Sequence, residues 1–136
     1  MAHKNKTLAT ALALSLGTLG AHRFYLYGGV DRIGLMHLSS LPIAGLIFSN
    51  AHGIHPFHAL LPLLVSGIAA CIEALVLGLT SDEQWDARFN GAAGTRSQSN
   101  WVLALLLVAT LLIGATVLIA TISRLFDLLY TGGTYG

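Results

Sequence analysis

Between Trp101 and Tyr130 the sequence reads WVLALLLVATLLIGATVLIATISRLFDLLY, with no charge before Arg124. A helix needs about 20 apolar residues to cross the hydrocarbon core of a bilayer. In lipid the backbone must satisfy its own hydrogen bonds, which a helix does within one segment. At 1.5 Å per residue, Trp101 and Tyr130 stand about 44 Å apart, close to a whole bilayer with its headgroups. Their amphipathic rings suit the two interfaces. Three more apolar runs precede this one, over residues 7–21, 28–50 and 57–80. The expected fold is therefore all-α, a transmembrane bundle of about four helices. Three is the alternative, because run 7–21 is short unless it continues into HRFYLY.

Composition agrees. Charged residues make up 10% of the chain and hydrophobic residues 54%, against roughly 25% charged in soluble domains. So few charges cannot cover the large relative surface of a small domain. The net charge is +1 and no basic cluster suggests nucleic acid. The single cysteine, Cys71, excludes an internal disulfide framework and reads as a small packing residue. The lysines before run 7–21 imitate a signal peptide, but TLGAH fits the small-x-small cleavage pattern poorly, so the run is read as retained.

Helices in lipid gain little from hydrophobicity and associate through small residues and polar links. Ala9, Ala13, Gly17 and Ala21 recur at four-residue spacing, as do Ser66, Ala70, Ala74 and Gly78. Each set forms one helix stripe along which a neighbour can approach closely.

GAHRFY, at residues 20–25, follows the first stripe. Gly17 and Gly20 favour a helix end there. Phe24, Tyr25 and Tyr27 suit the interface, and Arg23 can snorkel to water. HRFY thus reads as an anchored helix end, or as the source of a polar contact to Glu73. Lys6 followed by ALALSLGTLGAHRFYLYGG resembles the TM-two domain family, small bacterial-type proteins built on a two-transmembrane-helix unit. The resemblance implies a membrane module with no established general chemistry. It also places Glu73, in CIEALVLGL, at the family's acidic position. The chain departs from that pattern through an extra hairpin around SNAHGIHPFH and a further helix beyond the domain. Residues 1–80 are accordingly read as a TM-two-like membrane domain with an extra hairpin. Residues 81–100 are read as a polar extramembrane linker, with GAAGTRSQS flexible, and 101–136 as an added helix and tail.

A carboxylate inside a membrane helix must be protonated, paired or wet. Glu73 lies about 10 Å from the Thr80 end of its helix. With four alternating helices, His22, Arg23 and Arg32 share that membrane side. A structural link to His22 or Arg23 is the first expectation; a proton or ion relay and a contact to a partner subunit are the alternatives. Asp31, Arg32, Arg124 and Asp127 read as interfacial charges. His52, His55 and His58 have a spacing that could ligate a metal, and His37 could ligate haem, but neither is assigned. No cofactor is expected. No nucleophile elbow, phosphate loop or zincin motif occurs, so the chain is expected not to be an enzyme.

Orientation conflicts in a four-helix arrangement. Lys4 and Lys6 favour a cytoplasmic N-terminus, whereas Arg23, Arg32, Arg88 and Arg96 fall on the other side. The expectation is both termini cytoplasmic, in a bacterial inner membrane. The function expected first is an accessory or assembly subunit that packs against a larger membrane complex or forms a homo-oligomer. A small ion or proton transporter or oligomeric channel using Glu73 is the alternative. Haem or metal binding by His37 or by His52, His55 and His58 is the lesser one.

Overall fold

A computed structural model of the protein describes residues 3–50, 52–53, 55–91 and 94–134, and all regular structure among them is helical. The elements are α1 (Lys6–Leu16), a 3-10 turn (Gly17–Leu19), α2 (Ala21–Tyr27), α3 (Arg32–Asn50), α4 (Pro56–Leu79), α5 (Asp82–Phe89) and α6 (Trp101–Thr131). Only α3, α4 and α6 are long and apolar enough to cross a bilayer.

Run 7–21 is not one spanning helix. Asn5 caps α1 by accepting from the Leu8 amide, and eleven residues extend only about 16 Å. The helix tightens at Gly17 and breaks at Gly20, whose φ of +77° is left-handed and suits glycine. HRFY therefore lies inside a second helix rather than at the end of the first. That helix returns to where α1 began: the Lys4 amine donates to the Tyr25 carbonyl at 2.6 Å, and the Asn5 amide to the Tyr25 hydroxyl at 2.9 Å. At the far tip, the Thr18 carbonyl accepts from the Ser66 hydroxyl at 2.7 Å. At the open end, the Lys6 amine reaches the Thr80 carbonyl at 2.9 Å. Ser66 and Thr80 belong to one helix and its cap, so the hairpin penetrates about 20 Å and comes back.

The alternative of three spanning-length helices is the one found, with α1 and α2 packed against them as a shorter helical pair. Lys4 and Lys6 share one face with residues 81–91 and 94–100. There Asn90 accepts from the Lys4 amide at 2.7 Å and donates to its carbonyl at 3.1 Å. At the opposite end of the bundle, Arg124 of α6 lies 3.0 Å from the His55 ring before α4. The start of α1 and the end of α6 thus fall at opposite ends of the bundle, not the same one.

Small side chains make the close approaches. Ala9, Ala13, Ala70 and Ala74 are fully buried. A Cβ on Gly17 would stand 2.6 Å from the Ala70 Cβ, and one on Gly78 would stand 2.6 Å from Leu107 of α6 and 3.3 Å from Thr10 of α1. Ala21 leaves the first stripe because the chain has already turned into α2. Cys71 packs beside Gly114 of α6.

Segment 81–100 is more than a linker. Ser81 caps α5 through the Gln84 amide, with Asp82 and Glu83 in the first turn and Arg88 in the last, the favourable order for the helix dipole. Trp85 is fully buried against Ala9 and Leu26, and its indole donates to the Lys4 carbonyl at 2.9 Å. The α5 helix caps the open end of the hairpin.

Candidate functional site

The α2 helix is short, but two contacts fix its rotation. A Cβ on Gly20 would lie 2.6 Å from the Gly34 carbonyl oxygen, and one on Gly34 would lie 2.7 Å from the Phe24 ring. With α2 pressed onto α3 in this way, His22 points inward and is fully buried. Tyr25 takes the outer side, where its hydroxyl and carbonyl hold Asn5 and Lys4.

Five ionisable or imidazole side chains meet at this point. His22 Nε2 lies 2.5 Å from Glu73 Oε2. Arg23 Nη1 lies 3.9 Å from the same oxygen, and His37 Nε2 lies 3.7 Å from Glu73 Oε1. The two imidazole rings meet edge to face, with centroids 5.7 Å apart. Arg23 is mainly occupied elsewhere: it donates to Asp31 through Nε at 2.9 Å and Nη2 at 3.2 Å, and stacks over Tyr27. That guanidinium holds the Asp31 carboxyl below the usual carboxylate range. Asp31 also accepts from the Gly34 amide at 2.7 Å, at the start of α3.

Behind His37 runs a second polar chain. The Ser66 hydroxyl donates to the Thr18 carbonyl, which can only accept. Ser66 has one proton, so its oxygen must accept from His37 Nδ1, 2.7 Å away. This fixes a proton on Nδ1. In the neutral ring, Nε2 then presents a lone pair to Glu73. The other imidazole is less well served: His22 Nδ1 is buried and, among the described residues, has no hydrogen-bond partner.

The cluster has an opening. A cavity of about 320 Å³ between α3 and α4 is lined by His37, Ser40, Ser66 and Glu73, with Met36 and Val65 among its apolar walls. Glu73 keeps 27% of its side chain exposed and His37 keeps 6%.

Of the residues marked by sequence, His22, Arg23 and Glu73 are brought together, with His22 the direct neighbour of the carboxylate. Phe24 and Tyr25 hold α2 in place. Arg32 is exposed. His37 joins the cluster, a position the haem reading gave no reason to expect. His55 and His58 sit at the far end of α4, where their rings meet at 6.5 Å. Asp31, Ser66 and the Thr18 carbonyl are the polar members that sequence reasoning missed. The spacing of Asp31 before the apolar run, three residues ahead of Gly34, carried a helix-cap signal that could have found one of them.

Three apolar helices of spanning length, two of which carry members of a polar cluster, define an integral membrane protein of the helical, multi-span class. Its N-terminal part is more specific: the TM2 domain family matches residues 2–49, the segment that carries GAHRFY. The match ends within α3, so Glu73 and its helix lie beyond it. No curated protein and no solved structure matches the chain.

Proposed function

We propose that the protein is a non-enzymatic accessory or assembly subunit, which packs its outer helices against a larger membrane complex or a second copy of itself. The observation that supports this is a contrast between interior and exterior. Inside, polar groups fasten helices: Glu73 holds His22, Asp31 holds Arg23, and Ser66 holds the Thr18 tip. Outside, α6 buries only 11% of its apolar window within the chain. Photo-crosslinkers placed in turn at Val108, Leu112 and Ile119, all exposed on α6, test the reading in native membranes. A discrete protein adduct of fixed mass is expected, and lipid adducts alone at all three positions refute it.

The cavity beside Glu73 and His37 favours a second reading, a small ion or proton transporter or an oligomeric channel. Proteoliposome flux that Glu73→Gln abolishes without loss of fold would select it.

We also propose a bacterial cytoplasmic membrane as the site, with the N-terminal face inward. Of seven Lys and Arg residues, Lys4, Lys6, Arg23, Arg32, Arg88 and Arg96 belong to that face and only Arg124 to the other. Cationic loops are retained on the cytoplasmic side.

A further inference from the structure

We infer that His22, His37 and Glu73 form a binding site for a divalent transition-metal ion of the zinc type, which goes beyond the accessory role proposed above.

The donor set is two imidazoles and one carboxylate, and one ligand atom from each lies within 4.8 Å of the others. Zinc takes these donors at about 2.0–2.2 Å, which places neighbouring ligands on a tetrahedron about 3.4 Å apart. His37 Nε2 and Glu73 Oε1, at 3.7 Å, already have that separation. His22 Nε2 and Glu73 Oε2, at 2.5 Å, need to part by about 1 Å.

Orientation is the stronger argument. A metal-binding histidine ordinarily gives its other ring proton to an oxygen that fixes its tautomer. The Thr18–Ser66–His37 chain does this for His37. Two lone-pair donors then face each other across a gap, which a cation fits and a direct hydrogen bond does not span. His22 adds a second sign. It is fully buried and lacks such an orienting oxygen, since its Nδ1 has no hydrogen-bond partner among the described residues, but its Nε2 is aimed at Glu73.

Charge and access agree. With neutral imidazoles, as ligation requires, Arg23, Asp31 and Glu73 sum to one negative charge. Arg23, the cation within the cluster, is neutralised by its paired bonds to Asp31. The cavity between α3 and α4 reaches Glu73 and His37 from the side, which leaves a position open for water or a further donor.

The test uses full-length protein with an affinity tag free of histidine, purified in mild detergent and stripped with chelator. CoCl2 is titrated while the visible d–d absorption is followed, then displaced with ZnCl2. The expected result is saturation at one ion per chain, with a zinc-dependent rise in thermal stability. His37→Gln should abolish both. Ser66→Ala, which removes the hydroxyl that orients His37 and also holds the Thr18 carbonyl, should weaken binding about 10–100-fold while far-UV circular dichroism confirms that the fold is kept. Combined His52→Gln, His55→Gln and His58→Gln should leave it unchanged. Absence of saturable binding overturns the proposal. So does binding that survives in His37→Gln, or that disappears with the three turn histidines. Should His37→Gln fail to fold, Ser66→Ala decides: unchanged affinity rejects the site.

Discussion

Replacing Gly20 with alanine should damage the hairpin for two separable reasons. The first is conformational. At φ +77° and ψ +15° a side-chain-bearing residue loses about 1–2 kcal/mol. The second is steric. The added Cβ would stand 2.6 Å from the Gly34 carbonyl oxygen and 3.0 Å from its Cα. Both are backbone atoms of a packed helix and cannot swing aside, so overpacking adds about 1–3 kcal/mol. The sum is about 2–5 kcal/mol. Gly132 supplies the control. It caps α6 at φ +68° and ψ +19°, nearly the same conformation, and a Cβ there meets nothing within 4 Å. Gly132→Ala should cost at most about 1–2 kcal/mol, because only the conformational part applies. Unfolding in mixed detergent and SDS, followed by far-UV circular dichroism, measures both. Gly20→Asn sharpens the comparison, since asparagine tolerates the left-handed region but still carries a Cβ. It should be nearly as harmful as alanine. If Gly20→Asn restores stability, or if Gly20→Ala and Gly132→Ala differ by less than about 0.5 kcal/mol, close contact between α2 and α3 is not what Gly20 provides.

In a double-mutant cycle, Glu73→Gln with His22→Gln should show a coupling of about 1.5–3 kcal/mol, the range for a charged hydrogen bond. The corresponding cycle with Arg23→Gln should stay below about 1 kcal/mol, and the reverse order would reassign the carboxylate to Arg23. In a Cys71→Ala background, His3→Cys and Ser97→Cys should label from one side of the membrane and Asn50→Cys and Thr134→Cys from the other. Labelling of His3→Cys with Thr134→Cys would restore four crossings. Hydrogen bonds from Asn90 and Ser97 hold the Asp86 carboxyl at about 2, against an ordinary 3.8. A depressed carboxylate stabilises above its unfolded value and loses that stabilisation as pH falls through the folded one. Docking of α5 should therefore persist to about pH 4 and fail towards pH 2. Trp85 emission in a Trp101→Phe background reads this, and release already at pH 5 would contradict it.

The three spans were legible because lipid tolerates only long apolar helices, and α3, α4 and α6 have no other solvent. The hairpin was not legible. A glycine that ends a helix and a glycine that reverses it look alike in sequence, and only the Gly34 carbonyl beside Gly20 shows which one this is. The partners that hold the hairpin shut are also remote, since Lys4 meets Asn90 and Lys6 meets Asp82 across most of the chain. The α5 helix did carry a signal: Ser81 followed three positions later by Gln84 is a capping-box pattern, obscured by the polarity around it. At the site, a need for partners at Glu73 follows from burial alone. Choosing His22 over its neighbour Arg23 requires the rotation of α2, which Phe24 and Gly34 set. His37 could not be placed without knowing that the Thr18 tip reaches Ser66.

The order of synthesis gives the re-entrant hairpin a waiting period. Its inner wall is α4, and its lid is Trp85 and Asn90, all made after Tyr27 has been joined to the chain. At roughly 5–20 residues per second, the stretch from Tyr27 to Asn90 takes about 3–13 s to make. During that interval α1 and α2 can meet α3, through Gly20 and Gly34, but the α4 wall and the α5 lid are still missing. His22 has no carboxylate from α4 to meet, although Arg23 already has Asp31. The contact of the Thr18 tip with Ser66 is therefore a late one, gated by translation of α4 and followed by the residues that close over the hairpin.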